Sequence, residues 1–300
     1  MKEKQAISYL MLISSMLIFG TIGIFRRYIP LSSGSLAFVR GLMGALFIVV
    51  FTKIKGKKSE HSSIGKKKLI ILVVSGMMIG INWMLLFEAY NYTTVATATL
   101  CYYMQPTIVI LLSPLIFREK LTVKKIVCAV IAMVGMVFVS GMADGNGLQS
   151  VDMKGIVFGI SAAFVYAAIV MLNKKVQIED AYTKTMIQLF SAAVIMVPYL
   201  LLTEDFGSIS LNTTSIIMLL VVGIVHTGIA YVLYFGSING LNVQSIAVLS
   251  YIDPVSALFF SFLILQETMT VYGMIGAVLI IGSALCSEIC VKSKIEKNLK

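Results

Sequence analysis

The stretch Tyr102–Thr122 reads YYMQPTIVILLSPLIFREKLT, and it recurs without a gap at Ser250–Thr270 as SYIDPVSALFFSFLILQETMT. A shift of 148 positions carries Tyr103 onto Tyr251, Pro106 onto Pro254, Ser113 onto Ser261, Glu119 onto Glu267 and Thr122 onto Thr270. The same shift carries Gly80 onto Gly228, Phe87 onto Phe235 and Asn91 onto Asn239. Chance repeats apolar letters in a hydrophobic chain, but it rarely repeats Pro, Glu and Thr in one register. The reading is two structural repeats, 1–145 and 146–300.

Of the 300 residues, 58% are hydrophobic and 13% charged. Soluble domains carry about 25% charged residues, so the solvent for this apolar surface is a lipid bilayer. Runs long enough to span one are expected at 6–25, 33–52, 69–90, 95–117, 123–141, 155–173, 183–202, 214–236, 242–265 and 270–291. With a cytoplasmic N-terminus, 20 of the 24 basic residues fall on the cytoplasmic side, Lys174, Lys175 and Lys184 among them. Outside fall Arg26, Arg27 and Lys154, while Arg40 lies within a span. That bias fits ten spans with both termini in the cytoplasm of a cell membrane. It also explains the net charge of +10 without nucleic acid, since the basic loops are short flanks of membrane helices.

The expected fold class is therefore an all-α integral membrane protein, ten transmembrane helices in two five-helix repeats. Five is odd, so the second repeat enters from the opposite side. The basic loop Phe117–Thr122 is expected inside, and Leu265–Thr270, which has no Lys or Arg, outside. Inverted repeats of this kind belong to transporters, with the site near the midplane where the repeats meet.

Pro106 and Pro254 are expected to kink the fourth and ninth spans and free the carbonyls of Tyr102 and Ser250, because a helical proline lacks an N–H. Gln105 and Asp253 precede those prolines. A buried aspartate is costly in a membrane, about 3 kcal/mol on insertion scales, so Asp253 should face a wet cavity or a cation. Tyr102 and Ser250 stand three residues before Gln105 and Asp253, each on the same helix face, so the four are expected to ring one volume. Arg40 either binds a carboxylate, pairs with Glu88 or Asp253, or snorkels. Glu88 and His226 are candidates for a proton site or gate, against interfacial and helix-packing roles. Trp83, Tyr102, Tyr103, Tyr231, Tyr234 and Tyr251 offer aromatic walls, and Asn82 a further polar group. Gly76–Gly80 and Gly155–Gly159 have the spacing of close helix packing. Glu119 and Glu267 each precede a threonine by three residues at a helix start, so their expected role is structural. Cys101, Cys128, Cys286 and Cys290 lie in apolar runs without metal-ligand spacing, and neither a metal nor a cofactor is expected.

On the blocks NYTTVATATLCYYMQPTIVILLSPLIFREKLT and NVQSIAVLSYIDPVSALFFSFLILQETMT the chain resembles the EamA family of the drug/metabolite transporter superfamily. Arg40 is similar to an arginine the family often carries in its second helix, and Glu119 and Glu267 match its short acidic element. Tyr102, Tyr103 and Gln105 depart from the commoner small-residue pattern. The resemblance implies ten helices in two inverted repeats, a central cavity and export of small metabolites.

The expected function is a secondary transporter, not an enzyme, working by alternating access around Arg40, Asn82, Trp83, Tyr102, Tyr103, Gln105, Tyr251 and Asp253. An arginine, an acid and aromatic walls suit amino acids or related amphipathic zwitterions. The expected partners are a small-molecule solute and the lipid bilayer, with protons and a second copy of the chain as candidates. The rival readings are an intramembrane enzyme, a channel, and a non-transporting sensor or scaffold.

Overall fold

A computed structural model of the chain describes residues 2–26, 28–54, 64–92, 98, 101–118, 121–139, 153–176, 178, 180–204, 211–265 and 271–297. Every regular element among them is helical. The order is α1 (Lys2–Gly20), α2 (Ile22–Arg26), α3 (Ser33–Ile54), α4 (Lys66–Tyr92), α5 (Gln105–Phe117), α6 (Val123–Val139), α7 (Met153–Val176), α8 (Ala181–Thr203) and α9 (Thr213–Val221). A π-helical segment, Val222–Ile229, continues α9 into α10 (Ala230–Ser237) and a tight 3₁₀ turn at Ile238–Gly240. The chain ends in α11 (Val243–Leu249), α12 (Ile252–Leu265) and α13 (Val271–Lys297).

Among the described residues five helical stretches are long and apolar enough to cross a membrane: Gly34–Ile54, Lys66–Ala89, Met153–Val176, Ala181–Thr203 and Thr213–Gly240. Lys4–Gly20, Gln105–Phe117 and Val271–Ser283 are shorter apolar helices. Of the five expected spans not among these, 6–25, 123–141 and 270–291 hold shorter apolar helices, and the shortfall of the other two has a local cause. Segments 95–117 and 242–265 are not continuous helices, because each is interrupted by a turn just before its proline.

The prolines therefore act differently from a mid-helix kink. Pro106 occupies the first turn of α5, where its missing N–H is no loss. Pro254 sits two residues into α12, equally close to a helix start. The Ser250 carbonyl is not freed either, since it accepts from the Asp253 N–H at 3.3 Å.

Large apolar side chains cover the outside. Leu111, Leu115, Val130, Phe164, Leu201, Leu202 and Val278 are all exposed. Such a surface is stable only against lipid, where helices satisfy their own backbone groups. The polar groups turn inward instead. Gln188 donates to Ser75 Oγ at 2.8 Å and to Asn173 Oδ1 at 3.0 Å, tying α8 to α4 and α7. Lys184, expected at a cytoplasmic flank, lies in the first turn of α8 with none of its surface exposed. Its ammonium donates to the Asn173 carbonyl at 3.3 Å and lies 5.5 Å from the Phe235 ring centre.

Close packing follows the glycines. A Cβ on Gly76 would meet the Gln188 carbonyl at 2.5 Å, and one on Gly80 would meet the Ala192 carbonyl at 2.8 Å, so α4 and α8 lie backbone to backbone. Helix partners come in sets related by the 148-residue shift. α4 packs on α8 as the π segment packs on α3; α4 packs on α7 as α10 packs on α1; α5 packs on α7 as α12 packs on α1. The sets α3 with α8, and α6 with α13, map onto themselves.

Candidate functional site

The two interrupted segments meet. The turn at Tyr103–Met104 leads into α5 and the turn at Ser250–Tyr251 into α12, and the side chains around them line a cavity with Met16, Phe19 and Tyr166. Its lining is Met16, Phe19, Tyr102, Tyr103, Gln105, Tyr166, Ser250 and Asp253, around about 280 Å³ of unfilled space, its open mouth included. Tyr102, Gln105, Ser250 and Asp253 thus share one volume.

Each wall has a cause. α1 is pressed onto α12 at Gly20, where a Cβ would come within 2.0 Å of Ser256 Oγ and 2.9 Å of the Asp253 carbonyl. Ser256 Oγ donates to the Asp253 carbonyl of its own helix at 2.8 Å and reaches the Met16 carbonyl of α1 at 3.3 Å. Met16 and Phe19 are carried over the cavity as a result. α7 closes in because Gly159 leaves room for Cys101, whose Cβ lies 2.8 Å from where a glycine Cβ would stand. That approach brings the Tyr166 ring edge-on to Tyr102, centres 5.9 Å apart, while Tyr102 meets Tyr103 at 5.6 Å.

The polar centre is a pair drawn from opposite halves of the chain. Tyr103 donates its hydroxyl proton to Asp253 Oδ2 at 2.9 Å. A hydrogen bond from a neutral donor to a carboxylate is stronger than one between neutral groups. Asp253 Oδ1 accepts no hydrogen bond from the described residues, and the Gln105 amide, on a side chain 4% exposed, is likewise unengaged by them. Arg or Lys is absent from the cavity lining among the described residues.

The other expected site residues lie elsewhere. Arg40 donates from Nε to Thr227 Oγ1 at 3.1 Å, and its guanidinium carbon stands 4.8 Å from the Trp83 ring centre. Trp83 in turn meets Tyr231 edge-on at 6.2 Å, and Tyr231 meets the cavity-lining Phe19 at 5.2 Å. Arg40 and Trp83 therefore form a layer behind the cavity wall. Asn82 donates to the Ala162 carbonyl at 2.7 Å and joins α4 to α7. Tyr251 is fully buried, packs against Ala132, Met136, Val255 and Ile280, and its hydroxyl lies 3.1 Å from Thr107 Oγ1. Glu88 accepts from the Tyr199 hydroxyl at 3.0 Å, far from Asp253 in its bonding and joined instead to α8. His226 Nε2 lies 2.8 Å from Thr21 Oγ1 at the break between α1 and α2, and its ring meets Phe25 edge-on at 4.8 Å. Glu119 and Glu267 lie outside the described residues. The threonine beside the first of them does cap α6, accepting from the Lys125 N–H at 3.4 Å.

Met16, Phe19 and Tyr166 escape a reading from sequence. Met16 and Phe19 look like any other apolar residue of a span. Tyr166 carried a signal, a hydroxyl-bearing ring set among Ala162, Ala163, Ala167 and Ala168. Small neighbours let such a ring reach a cavity.

Comparison with known proteins agrees with this build. Over 286 residues the chain is 30% identical to the uncharacterized transporter YxxF of Bacillus subtilis (strain 168), covering 94% of this chain and 90% of that one. Protein PecM of Dickeya dadantii (strain 3937) is 25% identical over 218 residues, 72% of either chain. A solved crystal structure shares the fold at a TM-score of 0.81 and 17% identity, over 95% of this chain and 98% of that one. The sequence model of the EamA-like transporter family matches twice, at residues 6–141 and again at 153–288. With both halves matched and transporter-named relatives along nearly the whole length, this chain is a membrane protein that belongs to the EamA-like transporter family.

Proposed function

We propose that the protein is a secondary carrier that exports small metabolites from the cell by alternating access, its halves 1–145 and 146–300 rocking as inverted five-helix repeats. The observation that carries this reading is the Tyr103–Asp253 hydrogen bond across the cavity, 2.9 Å long and made by one residue from each half. A bond between halves at the bottom of a shared cavity breaks and re-forms as the halves move. The matched sets of helix partners support a two-fold relation between the repeats. So does the family's match to each half in turn.

In this reading the solute docks between Tyr102, Tyr103, Gln105 and Asp253, with Phe19 and Tyr166 against its apolar body. Solutes that join an amine to a compact apolar body fit, amino acids and related zwitterions among them. Arg40 and Trp83 brace the wall, while Asn82 and Tyr251 hold helices together. Glu88 and His226 gate: each bonds a neighbouring helix outside the cavity, at Tyr199 and at Thr21. The termini and Phe117–Thr122 face the cytoplasm, Leu265–Thr270 the opposite side, and the cell membrane is the site of action.

Counterflow in proteoliposomes loaded with a panel of amino acids and amines tests this. The expected result is uptake of labelled solute that rises when unlabelled solute is inside, and falls to background in Asp253→Asn. Flux without trans-stimulation would point to a channel, and a chemically altered solute to an enzyme. Cysteine labelling that put Phe117–Thr122 and Leu265–Thr270 in one compartment would defeat the inverted topology.

A further inference from the structure

We propose that the cavity recognises its solute through the ammonium group alone, so that the preferred solutes are compact organic amines without a carboxylate. This rests on the carrier reading and narrows it.

Among the described residues the charge in the cavity lining has one sign. Asp253 supplies a carboxylate with Oδ2 held by Tyr103 and Oδ1 accepting nothing from the described residues. Beside it three tyrosine rings form a corner, Tyr102 meeting Tyr103 at 5.6 Å and Tyr166 at 5.9 Å. A cation beside a carboxylate and over aromatic faces is attracted by both. A solute carboxylate meets the opposite situation. It would lie next to Asp253, where like charges repel, with only the Gln105 amide and phenolic hydroxyls to donate to it.

Arg40, the one guanidinium in the transmembrane part of α3, does not relieve this. Its Nε is committed to Thr227 Oγ1 at 3.1 Å and its plane faces Trp83 at 4.8 Å. It is not part of the cavity lining, which it reaches by its charge at Tyr102 and by way of the Trp83–Tyr231 and Tyr231–Phe19 ring contacts at 6.2 and 5.2 Å. A zwitterion placed on Asp253 therefore leaves its carboxylate without a cationic partner among the described lining residues. Burying an unpaired charge is costly, and that cost falls on the amino acid and not on the amine.

The test uses three matched probes: phenethylamine, phenylalanine and 3-phenylpropionate, with tyramine and tyrosine as a second set. Each is applied to the full chain, first as a competitor in proteoliposome counterflow and second as a ligand in thermal-shift measurements on detergent-purified protein. The expected result is that the amine acts at a concentration about ten-fold or more below that of the amino acid, and that phenylpropionate has no effect. In Asp253→Asn the amine and the amino acid should converge. In Tyr103→Phe, which keeps the carboxylate, the amine should stay preferred.

Equal or better action by the amino acid in wild-type protein overturns the proposal, as does retention of the amine preference in Asp253→Asn. If Asp253→Asn fails to fold, the wild-type and Tyr103→Phe rankings decide alone. Failure of the carrier reading is seen separately: ligands shift the melting temperature in the expected order, yet no labelled solute shows trans-stimulation.

Discussion

Gly76→Ala adds one methyl group at the tightest approach of α4 to α8. The new Cβ would sit 2.5 Å from the Gln188 carbonyl oxygen, 2.7 Å from Gln188 Cα and 2.8 Å from Ser191 Cβ. Two of these are backbone atoms in mid-helix, so no rotamer change relieves them. Ordinary contact begins near 3.4 Å, so the helices must part by about 0.9 Å on the worst vector. A gap of that size forfeits roughly a quarter to a half of the dispersion well for each pair of atoms it separates. It also strains the Gln188 bonds to Ser75 and Asn173, at 2.8 and 3.0 Å. Overpacking of this kind costs about 1–3 kcal/mol. Gly282→Ala is the internal control. Nothing lies within 4 Å of its would-be Cβ, and alanine gains about 0.8–1.0 kcal/mol of helix propensity over glycine on scales measured in water. Thermal unfolding in one detergent should lower the midpoint for Gly76→Ala and hold or raise it for Gly282→Ala. A Gly76→Ala protein as stable as wild type would refute the backbone-to-backbone packing of α4 on α8.

Lys184→Met removes an amine that is buried without an acidic partner among the described residues; stability should hold or rise when measured by thermal unfolding. Asn242→Ala removes the cap of α11, where Oδ1 accepts from the Ser245 N–H at 2.7 Å, and should destabilise by about 1 kcal/mol in the same assay. Arg40→Lys replaces a planar group stacked on Trp83 with a point charge, so the tryptophan emission spectrum should shift; since Arg40 stands behind the wall, solute ranking in counterflow should not change.

Half of the candidate cavity's lining was legible because it depends on short-range spacing and on the 148-residue repeat. Tyr102 with Gln105, and Ser250 with Asp253, needed only a three-residue step and the assumption that equivalent segments face each other. Tyr251 was misjudged by the same logic. It lies in the turn between α11 and α12, where helical periodicity no longer predicts direction, and it points at α6 and α13. Arg40 depended on how α3 is rotated against the π segment, a tertiary quantity that span composition does not hold. Lys184 looked like a basic flank because it stands at a span's end. Its inward turn follows from the Asn173 carbonyl and the Phe235 ring on neighbouring helices. The prolines were found correctly, but a helix broken before proline and one bent at proline share the same letters.

The π segment Val222–Ile229 fixes how this chain tolerates insertion and deletion. Such a segment is an α-helix holding one surplus residue, and here Thr227 Oγ1 reaches back five positions to the Val222 carbonyl at 2.9 Å. Removing that surplus residue would let the helix return to ordinary pitch with everything downstream kept on its present face, whereas a deletion in the regular helix on either side would swing it by about 100°. A deletion of the second kind would take Tyr231 and Tyr234 out of the aromatic cluster around Phe19, with which they now make edge contacts. This stretch can therefore shed one residue where the helices flanking it cannot, a tolerance otherwise expected of a surface loop.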